Sequence, residues 1–461
     1  MFQTVELPLW LLVLILLFAA IRALSHFLLP PVRWYFRRRL EKVVAKLNEN
    51  LDRPIQPFKL ARRHDMINRL IYDPQVMQAV AEHAKETGVR EDLAFHQATV
   101  YAREIVPSFS ASAYFGVAIK LARFFSQAMY RVRLGHVAET ALQDVDQEAT
   151  MIFVINHRSN IDYFLVTYLA AERSALSYAV GEWARVWPLS RLIKAMGAYF
   201  IRRKSRGNLY RKVLARYVRL ATDAGVMQAV FPEGGLSLDG ALAAPRMGLL
   251  KYIVDGFEPD TGGRDVMFVP VALNYDRVLE DRILVAADQA GTRRFKARMS
   301  VVFGFFFKQM WLRVTGKYHK FGYAAVSFGA PVSLSAFIED RRALGLADVI
   351  EPLAEELMQR IGAEVPVLPV PLVATAMLQA EAPLAVADLS RAVIALMARL
   401  ENAHVHMPRN DVSYMIEVGL RGLIKRKMVR DADGVVSIAE NERPLVEYYA
   451  ASIAHLFGGQ K

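Results

Sequence analysis

A histidine and an aspartate five residues apart, His157 and Asp162, follow directly on an apolar run in MIFVINHRSNIDYF (residues 151–164). The five apolar or β-branched residues Met151–Ile155 predict a buried strand, and Ser159-Asn160-Ile161-Asp162 predicts the start of a helix. Open α/β sheets place their chemistry at such strand ends. On one regular helix the two side chains would stand about 140° apart. They converge only if His157 lies in the turn and Asp162 in the first helical turn. An imidazole held and polarised by a carboxylate is a general base near neutral pH. A second reading stays open: Ser159-x-x-Asp162 is also a capping box, and His157 a loop histidine with an ordinary hydrogen bond.

Two further strand ends join this one. Ala198–Ile201 is a short apolar strand that empties into Arg202-Arg203-Lys204, and Val226–Phe231 empties into Pro232-Glu233-Gly234-Gly235. A cationic corner at the mouth of a sheet suits a phosphate, because arginine offers a planar bidentate fork and lysine a point charge; alone, such a run is ordinary solvated surface. The Gly-Gly turn lets backbone approach a ligand or take a positive φ. Other chemistries are excluded. There is no Walker A pattern, no G-x-G-x-x-G and no H-E-x-x-H. Gly235-Leu236-Ser237-Leu238-Asp239 is a nucleophile elbow without its second glycine. No His, Asp or Glu cluster has metal-ligand spacing, so neither metal nor cofactor is expected.

The elements that must position these residues alternate over 146–335. Strands are expected at Met151–Ile155, Ala175–Val180, Ala198–Ile201, Val226–Phe231, Val266–Asn274 and Ala324–Val332, and helices at Val186–Met196 and Asn208–Ala224. This is an α/β pattern with a largely parallel sheet. Pro270 inside the fourth of the strands from Ala175 onward marks an edge, a bulge or a terminus. Residues 41–145 read as mostly helical, as does the chain after about 336, where Asp431-Ala432-Asp433-Gly434 is a hairpin turn. Between Ser300 and Phe321, six apolar residues from Phe303 to Val314 form one helical stripe beside Lys308, Arg313, Lys317 and Lys320. That stripe fits a membrane-surface helix or a core helix.

Of the 461 residues 54% are hydrophobic, and the net charge is +12; the mean hydropathy is positive and the pI near 9.7. Both point to anionic partners and a membrane rather than to a freely soluble enzyme. No base-reading motif accompanies the basic stretch 421–430, so nucleic acid is not expected. The chain has no cysteine, which excludes disulfides, thiolate metal sites and a cysteine nucleophile. Leu7–Ile21 carries no charge, and the apolar character resumes after Arg22 as far as Leu29. Together these residues are long enough to cross a bilayer. The following Arg33, Arg37, Arg38, Arg39 and Lys42 place the C-terminal side in the cytoplasm by the positive-inside rule. An N-terminal anchor in the inner membrane with a cytoplasmic body is therefore expected, with an interfacial helix as the alternative.

In order and spacing, four blocks resemble the HxxxxD glycerolipid acyltransferase superfamily: His157-Arg-Ser-Asn-Ile-Asp162, Gly197-Ala-Tyr-Phe-Ile-Arg-Arg203, Phe231-Pro-Glu-Gly-Gly235 and Val269-Pro270-Val271. Asp162-Tyr163, Gly207-Asn208-Leu209-Tyr210 and Pro371-Leu-Val-Ala-Thr-Ala-Met377 resemble its bacterial glycerol-3-phosphate acyltransferase branch in particular. The resemblance covers roughly residues 60–461. Taken with the apolar and helical patterns read above, the resemblance divides the chain into an anchor and basic flank over 1–40, a helical region over 41–145, the acyltransferase domain over 146–335 and a mostly helical region over 336–461. It also implies acyl transfer from acyl-CoA or acyl-carrier protein to glycerol 3-phosphate, giving lysophosphatidic acid in phospholipid biosynthesis. On that reading His157 takes the hydroxyl proton and Asp162 orients the ring. Arg202, Arg203 and Lys204 hold the acceptor phosphate, Glu233, Gly234 and Gly235 shape the site, and Pro270 lines the acyl side. One position departs from the pattern. Where the third block usually carries an arginine that helps bind the phosphate, this chain has Leu236. Arg206, Arg211 and Arg246 are the candidates to compensate; otherwise the acceptor is a lysophospholipid or another, less anionic compound, and a non-catalytic membrane lipid or carrier-protein binder that keeps the fold is the alternative of a different class.

Overall fold

Thr150–Ile155 is buried at every position, as an uninterrupted apolar run must be when helices cover both faces of a sheet. It is strand β2 of eight: β1 (Arg131–Val137), β2 (Thr150–Ile155), β3 (Ser177–Gly181), β4 (Tyr199–Ile201), β5 (Gln228–Val230), β6 (Val266–Tyr275), β7 (Tyr323–Phe328) and β8 (Val332–Ser333). Their order is β1-β7-β6-β2-β5-β3-β4, with β8 also beside β6. All neighbours run parallel except β6 with β7 and β6 with β8. The chain is thus α/β around a largely parallel sheet with flanking helices.

This is a computed structural model, and it describes residues 8–18, 42, 44–49, 51–170, 175–181, 189–202, 207–255, 257, 263–292, 320–346, 348–380, 382–400 and 403–458. The Ser300–Phe321 stripe falls almost wholly outside them. The chain divides into two units, Met1–Ile55 and Gln56–Lys461. In the first, residues 9–18 are helical and their apolar side chains, Trp10 and Phe18 among them, are exposed. No helix among the described residues is long and apolar enough to cross a membrane.

Two features of the sheet differ from the sequence expectation. Strand β1 lies in the segment read as helical. Its residues alternate arginine, valine, leucine and histidine and are mostly exposed. Among the described residues it pairs only with β7, and charge on an edge strand both blocks further pairing and hides the strand from an apolar-run criterion. Pro270 lies in an interior strand, opposite Val154 of β2. On its other side the antiparallel partner changes, from β8 at Met267 and Phe268 to β7 from Val271 onward. The missing N–H therefore falls at a break in the ladder, which is how a central strand tolerates it.

The C-terminal region packs around the helix Pro369–Gln379, in which every residue from Pro369 to Met377 is buried. Gly419 of the neighbouring helix Val412–Lys425 allows this packing, because a Cβ there would stand 2.5 Å from the Pro369 carbonyl oxygen. A second sheet joins β9 (Leu384–Ala385), β10 (Val429–Ala432) and β11 (Val435–Ile438). The expected hairpin turn closes β10 on β11, with positive φ at Asp433 (52°) and Gly434 (82°).

Candidate active site

Strand β2 ends at Ile155, and Asn156 carries the pairing one step further through its side chain. Its amide donates to the Leu273 carbonyl at 3.0 Å and accepts from the Leu273 N–H at 2.7 Å. The main chain can then leave the sheet at His157 without stranding the polar groups of β6. The helix Asp162–Leu169 begins five residues later. The turn between them brings His157 Nδ1 to 2.9 Å from Asp162 Oδ2. His157 is 3% exposed and Asp162 fully buried.

Asp162 is held from several sides. Oδ2 also accepts the N–H groups of Arg158 (2.7 Å) and Ser159 (3.0 Å), and Oδ1 accepts the Tyr275 hydroxyl at 2.5 Å. Burial and the Asp162 charge push the Tyr275 phenol well above its ordinary pKa, so it stays a donor. Capping and positioning of the imidazole are therefore not rival roles. The carboxylate takes the Ser159 N–H in the manner of a capping box, and the same oxygen faces the imidazole. The Ser159 hydroxyl accepts the Ile161 N–H at the helix start at 3.3 Å and donates to Glu280 Oε2 at 2.7 Å, and Asn160 donates its side-chain amide to Glu280 Oε1 at 3.0 Å. A carboxylate partner makes Nδ1 the protonated nitrogen, leaving Nε2 to take up a proton.

Glu233 braces the other side. Its Oε1 accepts the His157 N–H at 2.8 Å and Oε2 the Ala243 N–H at 3.2 Å. Burial raises its pKa, and Arg158 and the two amides oppose that shift in part. The His157 carbonyl accepts the Ser237 N–H at 3.0 Å, and the ring stacks on Phe231 at 4.2 Å. The third block thus wraps the histidine by backbone and by ring. Gly234 has φ +65°, and a Cβ there would meet the Arg246 stem at 2.7 Å. Arg246 itself is anchored by its N–H to the Pro232 carbonyl, 2.8 Å, and exposes its side chain.

Arg202 does not offer a free fork. Its Nε lies 2.8 Å from Glu104 Oε1 and its Nη2 2.5 Å from Oε2, with Tyr101 and Tyr210 flanking the guanidinium. The pair consumes the bidentate geometry that a phosphate would use. Arg203, Lys204 and Arg206 lie outside the described residues. Pro270 is buried in the sheet. Beside the third block a cavity of about 230 Å³ is lined by Glu233, Leu236, Leu238, Asp239 and Asp288 among others, and by no cation among the described residues.

Sequence reasoning did not single out Asn156, Tyr275, Glu280 or Arg158. The first three act across strands or loops more than a hundred residues distant, a pairing that no local pattern announces. Arg158 is 2% exposed and donates to the Ser452 carbonyl at 3.2 Å, so the C-terminal region packs directly on the His157–Asp162 turn. The close fit extends to Gly240, where a Cβ would collide with the Tyr448 carbonyl.

Known families match in the same two places. The family described as Acyltransferase matches residues 136–274, which hold the His157–Asp162 turn and all four blocks. The family described as Glycerol-3-phosphate acyltransferase C-terminal region matches residues 311–459. The two matches place an acyltransferase domain ahead of a glycerol-3-phosphate acyltransferase C-terminal region. A glycerol-3-phosphate acyltransferase of Pseudomonas savastanoi pv. phaseolicola is 27% identical over 444 residues, covering 91% of this chain and 52% of that protein. One from Pseudomonas aeruginosa is also 27% identical, covering 91% and 51%. The chain therefore spans about half the length of these acyltransferases. A crystal structure of the 1-acyl-sn-glycerophosphate (LPA) acyltransferase of Thermotoga maritima overlaps 53% of this chain and 80% of its own, at 20% identity and a TM-score of 0.31.

Proposed function

We propose that this chain is an acyltransferase that moves a fatty acyl group from acyl-CoA or acyl-carrier protein to the sn-1 hydroxyl of glycerol 3-phosphate, releasing lysophosphatidic acid. The observation that carries the reading is the buried His157–Asp162 pair at a strand end, in a chain whose relatives are named for this reaction. His157 Nε2 takes the hydroxyl proton as the oxygen attacks the thioester carbonyl. Asp162 stabilises the imidazolium that forms. Collapse of the tetrahedral intermediate breaks the C–S bond, and the departing thiolate receives the proton back from Nε2. No covalent enzyme intermediate is needed, in keeping with a chain that lacks cysteine and an intact serine elbow.

For the acceptor phosphate, Arg203 and Lys204 remain the first candidates. Arg246, whose stem crosses the Gly234 turn, is the compensating cation for Leu236. Arg202 acts through its Glu104 pair to hold the corner in place. Glu233, Gly234 and Gly235 shape the turn around His157, and Pro270 lies behind it within the sheet. Leu236, which stands where the third block usually carries an arginine, favours a second reading, in which the acceptor is a lysophospholipid or another less anionic hydroxyl compound.

The exposed apolar helix over residues 9–18 and the basic run from Arg33 to Lys42 support an N-terminal anchor in the inner membrane, with the catalytic body on the cytoplasmic side and membrane lipids as neighbours. The functional division is then 1–40 anchor, 41–145 helical region, 146–335 acyltransferase domain and 336–461 C-terminal region, with β1 reaching into the sheet from the second. The deciding experiment supplies membranes carrying the protein with labelled glycerol 3-phosphate and a long-chain acyl thioester. Lysophosphatidic acid that forms with the native chain and not with His157→Ala supports the reading. No product with either donor overturns glycerol 3-phosphate as the acceptor, and a screen of lysophospholipids then tests the second reading.

A further inference from the structure

Far along the chain from the catalytic turn, three segments bring two more histidines to one carboxylate. His136 lies in β1, Glu364 follows the helix Ile350–Ala363, and His404 lies in the loop after Val386–Ala398. His136 Nδ1 is 2.9 Å from Glu364 Oε2, and His404 Nε2 is 3.3 Å from the same oxygen. One donor atom from each residue fits within a 4.8 Å span. The separation of residues 136, 364 and 404 explains why sequence spacing gave no sign of a ligand set.

The backbone holds all three in place. The His136 N–H donates to Ser327 Oγ at 3.3 Å, within the β1–β7 pair. The His404 carbonyl accepts the Val367 N–H at 2.9 Å, and the His406 N–H returns to the Val367 carbonyl at 2.9 Å. Glu364 thus stands three residues before the segment to which His404 is tied. Gly329 leaves the room its carboxyl occupies, since a Cβ there would meet Glu364 Cγ at 3.0 Å and Oε1 at 3.1 Å. The imidazoles stack 4.3 Å apart at 8°, and both point a nitrogen at one oxygen.

We propose that His136, Glu364 and His404 form a binding site for a borderline divalent cation of the Zn²⁺ class. Two imidazole nitrogens and one carboxylate oxygen are a donor set that Zn²⁺ prefers, with water as the fourth ligand. Metal–ligand bonds of about 2.0–2.1 Å in a tetrahedron separate the donor atoms by roughly 3.3 Å. The two edges, 2.9 and 3.3 Å, lie just below and at that value. Closing on an ion requires the stacked rings to splay so that both lone pairs converge. A single carboxylate balances at most one imidazolium, whereas a divalent cation engages the carboxylate and both ring lone pairs together. The ion clips β1, at one edge of the sheet, to the C-terminal region. This site rests on none of the arguments for acyl transfer.

The test uses the full chain, purified without a histidine tag, stripped by chelator and titrated with Zn²⁺ against a competing chelator dye. One Zn²⁺ per chain is expected, together with a rise in the thermal unfolding midpoint that excess chelator reverses. His404→Gln and Glu364→Gln should each weaken the site by at least about 100-fold and abolish the midpoint rise, since even outer-shell partners cost 10–100-fold. His83→Gln, on the distant helix Pro74–Thr87, should leave both unchanged. Circular dichroism of the metal-free variants checks that they fold. A native chain that takes up no Zn²⁺, or His404→Gln and Glu364→Gln proteins that bind it as tightly as the native chain does, overturns the proposal.

Discussion

Two histidine–carboxylate pairs in this protein share the same 2.9 Å contact, yet their surroundings assign them different work. In His157–Asp162 both side chains are buried, and the carboxylate also takes two backbone amides and a tyrosine hydroxyl. In His136–Glu364 the imidazole is 40% exposed and the carboxylate is shared with a second histidine. The first arrangement fixes one ring orientation and shields it from water, which is what a base at a defined reaction coordinate requires. The second converges several lone pairs on one point, which is what an ion requires. A short His–carboxylate distance alone distinguishes neither. The rest of the carboxylate's bonds decide.

The largest expected effect comes from breaking the first pair. His157→Ala should lower turnover by about 10³-fold or more, within the range for loss of a general base, with little change in thermal stability. Asp162→Ala should also abolish most activity. It should in addition destabilise the fold by a few kcal/mol, because it strands two buried amides and the Tyr275 hydroxyl. Steady-state kinetics and thermal unfolding on the same preparations separate the two signatures. Equal stability loss in both variants would count against the division of roles.

The contrast between the pairs also marks how far the sequence could be read. His157 and Asp162 are near neighbours in the chain, so a strand-to-helix junction sufficed to predict their convergence, and β2 and the parallel sheet followed from apolar runs. What stayed hidden depends on register between distant segments. Tyr275 reaches Asp162 only because β6 lies beside β2 with Ile155 opposite Val271. Arg202 was expected to be a phosphate ligand because its fork was visible in the sequence and its partner, Glu104, ninety-eight residues earlier, was not. Strand β1 was missed because edge strands carry charge. Even the capping-box alternative for Asp162 was legible, but that one oxygen serves both roles is a matter of three-dimensional geometry.

Next in size is the acceptor side. If Arg246 replaces the arginine absent at Leu236, Arg246→Ala should raise KM for glycerol 3-phosphate by about 10–100-fold, the worth of a charged hydrogen bond to phosphate. The thioester KM should hold steady, and Leu236→Arg should restore part of the loss. An unchanged acceptor KM would move the phosphate contact to Arg203 and Lys204. A smaller effect is expected of Tyr275→Phe, which removes one of the bonds to Asp162 and leaves the imidazole contact in place. Turnover should fall about tenfold and stability by about 1 kcal/mol. A tenfold fall in kcat with unchanged KM values would identify Tyr275 as a positioning residue; a shift in KM alone would not.

Asp276, one residue beyond Tyr275, isolates what two amide donors do for a buried carboxyl that has no imidazole. It accepts the Val370 N–H at 2.9 Å and the Tyr323 N–H at 2.8 Å, as Asp162 accepts Arg158 and Ser159. Burial outweighs those bonds and a favourable Arg131 charge, and pushes its pKa from 3.8 up to about 7. Between these two values the folded chain binds a proton that the unfolded chain has already released. Raising the pH through that window therefore favours unfolding. The stabilisation is complete below about pH 4, and an amount of order a few kcal/mol is lost by about pH 7. Glu233 and Glu280, also raised by burial, add to the same slope. In Asp276→Asn the slope between pH 4 and 7 should become shallower, although the protein loses about 1–3 kcal/mol at low pH because one backbone amide now faces an amide NH₂. Denaturant unfolding at pH 4, 5.5 and 7 measures both. An unchanged slope would mean that the two amides suffice to keep Asp276 ionised.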